Sequence, residues 1–131
     1  MIVLDASAAL ELLLRSPKAD AVEELLFHSE AGALCAPHLI DVEVVQVLRR
    51  LSGSGNITAA RAAQALEDLG SMPLTRFPHD ALTPRMWTLR KNLTAYDAVY
   101  VALAESLPAT LVTCDRKLAA APGNRARISL V

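Results

Sequence analysis

The sequence predicts an α/β fold built on a mainly parallel sheet, and three observations carry that prediction. Short apolar runs recur along the chain, longer segments with helical spacing separate them, and the runs stop abruptly at acidic or turn-forming residues. A strand covered by helices on both faces needs such a short, fully apolar run. With 131 residues, 53% of them hydrophobic, and no internal repeat or linker, the chain reads as one domain spanning 1–131.

The elements follow in order. Residues 1–4, Met-Ile-Val-Leu, form the first strand and end at Asp5. Helical spacing runs over 6–14 and again over 18–31, followed by a second apolar run at 33–36. A helix is expected over 38–52 after Pro37, broken by Ser52-Gly53-Ser54-Gly55-Asn56, and another over 58–70. A third strand at 74–77 precedes helices at 79–92 and 95–106. Strands at 111–113 and 128–131, with a helical turn at 116–120 between them, bring the sheet to about five strands flanked by helices. Prolines 17, 37, 73, 78, 84, 108 and 122 fall at element ends or first turns.

Composition excludes several function classes. At 4% aromatic residues, the chain is poor in the platforms on which single-strand binders stack bases. No apolar stretch approaches the roughly 20 residues of a membrane span, and Asp5 interrupts the N-terminus before a signal-peptide core could form, so a cytoplasmic location is expected. Cys35 and Cys114 lack a CxxC partner and sit in apolar runs, which suits buried free thiols better than zinc or a disulfide. Charge is uneven: residues 1–48 hold two basic and eight acidic residues (−6), and residues 49–131 hold eleven basic and six acidic ones (+5). A basic surface beside an acidic site is compatible with nucleic acid, although solvated helix faces give the same count.

Four carboxylates stand out. Asp5 and Asp115 each follow a predicted strand, where open α/β sheets bind ligands, yet both could equally be helix N-caps. Glu43 has Leu39 and Val47 as its neighbours four residues away, so it lies near the core-facing side of its helix, where an unpaired charge is costly and a cation is needed. Asp41, two residues earlier, should point elsewhere, toward solvent. Asp97 opens an apolar helix, and Thr94 three residues before it suggests a capping box as the competing role. Together they read as a catalytic and metal-holding cluster, because four like charges need a cation and all-oxygen donors select Mg²⁺ or Mn²⁺. Metal-assisted phosphodiester hydrolysis is the chemistry such a set performs. Ser7 and Thr113 are placed to support the carboxylates, or to cap backbone. His28, His38 and His79 read as surface or helix-end residues.

The opening Ile2-Val3-Leu4-Asp5-Ala6-Ser7-Ala8, Glu43 in the helix after Pro37, the Tyr96-Asp97-Ala98-Val99-Tyr100-Val101-Ala102-Leu103-Ala104 segment and Val112-Thr113-Cys114-Asp115 resemble the PIN-domain ribonucleases of the VapC toxin type. The resemblance covers nearly the whole chain. It implies a PIN-like three-layer sandwich, a cytoplasmic toxin that cleaves RNA with Mg²⁺ or Mn²⁺, a homodimer, and neutralisation by a small VapB-like antitoxin. In that family Asp5, Glu43, Asp97 and Asp115 match the acidic positions, with Ser7 and Thr113 the associated hydroxyls. One departure is Val47, where many relatives carry Asn.

Among the cations, Arg116 adjoins the last acid and is the first candidate for a substrate phosphate. Lys117, Arg49, Arg50, Arg85, Arg90 and Lys91 follow. The Leu12-Leu13-Leu14 and Leu25-Leu26-Phe27 runs exceed one buried helix face and suit a partner groove or extra core. The rival function is a Mg²⁺-dependent phosphatase or phosphoryl-transfer domain. A haloacid-type phosphatase wants a second aspartate where Ser7 stands, and a receiver domain wants paired acids at the first strand.

Overall fold

Alternation of apolar runs and amphipathic segments produces a single sheet with helices on both faces. The computed structural model describes residues 1–28 and 33–131. Strands β1 (Ile2–Leu4), β2 (Leu34–Pro37), β3 (Leu74–Phe77), β4 (Thr110–Thr113) and β5 (Arg127–Leu130) form one sheet in the order β3-β2-β1-β4-β5. All four pairings are parallel; Val3 sits opposite Cys35 on one side and Leu111 on the other. The expected mainly parallel sheet is therefore parallel throughout.

Alternation within β1 divides the core. Ile2 and Leu4 face the layer of α1 (Ala6–Leu14), α2 (Ala19–His28), α3 (Leu39–Gly53) and α4 (Ala59–Ser71), where Ile40, Val44 and Leu48 of α3 meet Ala65 and Leu69 of α4. Val3 faces the other layer, with α5 (Thr83–Thr88), α6 (Ala95–Ser106) and α7 (Arg116–Ala119), where Val99, Leu103 and Leu118 pack with Leu111. Helix α6 is buried over Ala98–Ala104 because almost every residue there is apolar. These layers make the three-layer sandwich.

Two expectations are corrected here. The helix expected over 79–92 is a 3-10 turn, Asp80–Leu82, followed by the short α5. Pro84 stands in the first turn of α5, where its missing N–H costs nothing, so the chain starts a new helix there. Cys114 is only half-buried, while Cys35 is buried; both are free thiols. The expected helix over 18–31 begins at Ala19, and its positions 29–31 lie outside the described residues. Leu12, Leu13 and Leu26 line an open groove of about 560 Å³ bounded by α1, α2 and α4, and Phe27 is 89% exposed. Among the described residues no helix is long and apolar enough to cross a membrane.

In the order β3-β2-β1-β4-β5, successive strands are added outward on one side of β1 and then on the other side from β4, so the strand order reverses between this parallel pair, and its carboxyl ends flank the crevice where open α/β sheets bind ligands. Asp5 and Asp115 follow those two strands.

Candidate active site

Asp5 ends β1 and caps α1. Its N–H donates to Val112 O at 3.2 Å, which holds it beside β4. Its Oδ1 accepts from Ala8 N–H at 2.9 Å and from the Ser7 hydroxyl at 2.7 Å, and its Oδ2 accepts from the Thr113 hydroxyl. Both hydroxyls are used twice: Ser7 Oγ accepts from Cys114 N–H at 2.9 Å, and Thr113 Oγ1 accepts from Asp115 N–H at 2.9 Å. The two hydroxyls thus tie the first turn of α1 to the end of β4, and Asp5, only 4% exposed, is held by three donors.

Asp115 caps α7. Its Oδ1 accepts from Lys117 N–H at 2.8 Å and Leu118 N–H at 3.2 Å, leaving Oδ2 with no hydrogen bond among the described residues. Capping and site membership therefore coexist in both aspartates: the cap fixes the carboxylate without using all of its lone pairs.

Glu43 projects from the second turn of α3 and is half-buried. Its Oε1 accepts from the Tyr100 hydroxyl at 2.7 Å, a bond between α3 and α6. Tyr100 is 2% exposed, and burial together with Glu43 and Asp5 raises its pKa far above the ordinary value, so it remains a donor. Asp97 lies in the first turn of α6, where Thr94 makes the hydroxyl half of the capping box by accepting Asp97 N–H at 3.2 Å.

These four carboxylates line one open pocket of about 590 Å³. Burial raises the pKa of Asp5, Glu43 and Asp97, and neighbouring carboxylates push in the same direction: Asp115 on Asp5, Asp97 and Asp5 on Glu43, and Asp115 on Asp97. A pocket in which the carboxylates oppose one another's ionisation favours a cation. The donors are all oxygen, so they fit a hard divalent ion in type. Among the described residues, no three His, Cys, Asp or Glu side chains are gathered tightly enough to hold an ion without moving.

Other expected residues fall outside. Asp41 does point away from the pocket, but it is not loose in solvent: Arg76 of β3 grips it with Nε at 2.7 Å and an Nη at 2.8 Å. Arg116 is exposed and does not line the pocket, whereas Arg50 does. Arg85 is committed to Glu105 at 2.7 Å, and Arg90 lies 4.4 Å over the Trp87 ring. Sequence reasoning gave Tyr100 and Tyr96 no role at the pocket, yet both line it. The spacing of Arg50, seven residues and two helical turns beyond Glu43, was a usable signal for that residue.

Comparison with known proteins places the chain. The PIN domain family matches residues 2–124. Ribonuclease VapC9 of Mycobacterium tuberculosis is 45% identical over 118 residues, covering 90% of this chain and 88% of that protein. The crystal structure of PAE2754 from Pyrobaculum aerophilum is similar with a TM-score of 0.73 at 27% identity, over 97% of this chain and 81% of that one. VapBC2 from Rickettsia felis, solved bound to a DNA fragment from the promoter, has a TM-score of 0.71 at 16% identity, over 99% and 98% of the two chains.

Proposed function

Because this chain belongs to the PIN-domain family, and within it to the VapC ribonucleases, we propose that it hydrolyses RNA phosphodiester bonds at the pocket of Asp5, Glu43, Asp97 and Asp115, with Mg²⁺ or Mn²⁺. The observation that carries this reading is the convergence of four carboxylates from four elements on one crevice at the β1/β4 reversal.

Each residue has a task that follows from its bonds. Asp5 presents an immobile carboxylate, since Ser7, Ala8 and Thr113 remove its rotational freedom. Asp115 directs Oδ2 outward while the α7 amides hold Oδ1. The Tyr100 hydroxyl holds one oxygen of Glu43, leaving Oε2 for the pocket. Asp97 closes the set from the first turn of α6. A divalent ion held by these oxygens would supply water of lowered pKa and offset charge building on the phosphate. Raised carboxyl pKa values suit this arrangement, because burial and the neighbouring carboxylates disfavour the ionised forms and a bound cation would offset both.

We extend the proposal to biological setting: this chain is the toxin of a VapBC-type pair, neutralised by a small VapB-like partner. Support comes from relatives named as VapC ribonucleases. The test incubates purified protein with RNA and with an aryl phosphate, each with Mg²⁺, Mn²⁺ or EDTA, beside Asp5→Asn. RNA cleavage that needs metal and Asp5 is expected, with the aryl phosphate untouched. Cleavage that persists in EDTA, or in Asp5→Asn, refutes the mechanism. Rescue of growth by the adjacent small open reading frame tests the pairing.

A further inference from the structure

The acid pocket is one part of a longer groove with two chemically different ends. Helix α3 runs along it, with Leu39 at one end, Glu43 one turn further, and Arg50 two turns beyond Glu43, a span of roughly 16 Å at 1.5 Å per residue. Beyond Leu39, the groove continues into a second cavity of about 170 Å³, and Leu39 and Tyr96 are walls of both. His79, Met86, Ala95 and Val99 complete that cavity.

Each end lacks the partner its chemistry calls for. Arg50 is the one cation lining a pocket of four carboxylates, yet it forms no salt bridge among the described residues. By contrast Arg76 and Arg85 are neutralised by Asp41 and Glu105. At the other end, Tyr96 is 63% exposed, an aromatic ring left in solvent beside an apolar cavity whose walls include one imidazole. A planar heterocycle with polar edges meets such a cavity better than an aliphatic group does.

A phosphate-linked chain of bases satisfies both ends at once. We propose that RNA lies along α3 in one register, with a backbone phosphate at Arg50 and a nucleobase from the other side of the scissile phosphate stacked on Tyr96 in the small cavity. Arg50 then sets affinity without regard to sequence, and the Tyr96 cavity selects the base. The inference rests on the ribonuclease reading of the acid pocket and names how its substrate is held.

Binding isolates this claim from chemistry. Fluorescence anisotropy would follow short oligouridylate, oligoadenylate and an abasic ribose-phosphate chain of equal length, bound to Asp5→Asn protein in Mg²⁺. Adding Arg50→Gln should weaken all three alike and lower the slope of log K against log salt by about 0.7, the value of one single-strand phosphate contact. Adding Tyr96→Ala should weaken the base-bearing chains by about five- to a hundred-fold and leave the abasic chain unchanged, while Tyr96→Phe keeps parental affinity. Both side chains are exposed, so unchanged melting checks that the variants fold. An unchanged salt slope in Arg50→Gln, or a Tyr96→Ala loss as large on the abasic chain, overturns the inference. Wild-type protein that cleaves no RNA would instead defeat the ribonuclease reading, whatever the binding pattern.

Discussion

Replacing Glu43 by Gln should make the metal-free protein more stable while removing its response to metal. Burial, then Asp97 and Asp5, raises the Glu43 pKa even though the Tyr100 hydroxyl bond pulls it down, so the fold on balance resists this charge. Like charges that share a half-exposed, salt-screened pocket repel by on the order of 1 kcal/mol at an effective dielectric of about 20. Glutamine keeps an oxygen for Tyr100 and drops the charge. For a domain of this size the gain is roughly 4 °C in melting temperature.

The sign with pH follows from linkage. Unfolded Glu43 ionises at its ordinary value of 4.5, and folded Glu43 ionises above it. The stability this side chain contributes is complete below 4.5 and is lost as pH rises through the folded value. Wild type and Glu43→Gln should therefore melt together in acid and diverge toward neutral pH. On the proposed reading, Mg²⁺ at ten times its dissociation constant should stabilise the wild type by about 1.4 kcal/mol, and the variant by much less. Glu43→Ala should instead lose about 1–3 kcal/mol, because the buried Tyr100 hydroxyl keeps no acceptor. Melting followed by circular dichroism in EDTA and in Mg²⁺ reads all of these. A Glu43→Gln variant that melts below wild type in EDTA at pH 7, or gains as much from Mg²⁺, refutes the reasoning.

Two further outcomes are expected. Thr113→Val, at a fully buried position, strands one Asp5 oxygen and the Asp115 N–H, and should cost about 2–3 kcal/mol by denaturant titration along with most RNA cleavage, whereas Thr113→Ser keeps both bonds. Asp41→Asn weakens a half-exposed ion pair, costing up to about 1 kcal/mol, and should leave cleavage rates unchanged.

Where local chemistry decides structure, the sequence was readable. Five apolar runs became five strands because each is short and bounded by an acid, a proline or a turn. Glu43 was found through its apolar neighbours, and Asp5 and Asp115 through their position after strands. What escaped depends on contacts remote in sequence. The bond from Tyr100 to Glu43 spans 57 residues, and the grip of Arg76 on Asp41 spans 35. Arg116 looked favourable because it adjoins Asp115, but the cap geometry of α7 keeps it off the pocket wall, and helical phase brings Arg50 there instead. Pro84 divided a segment whose apolar spacing ran unbroken through it.

The central place of β1 in the sheet has a consequence for synthesis. β1 is made before the other four strands of the sheet yet has neighbours on both sides, and one of them, β4, is made more than a hundred residues later. Asp5 meets Thr113 across a separation of 108 residues. Such distant pairing makes folding slow and late. A fragment that stops before β4 has no Thr113 to hold Asp5 and no strand on that side of β1, so the crevice between these two strands exists only once both have been made.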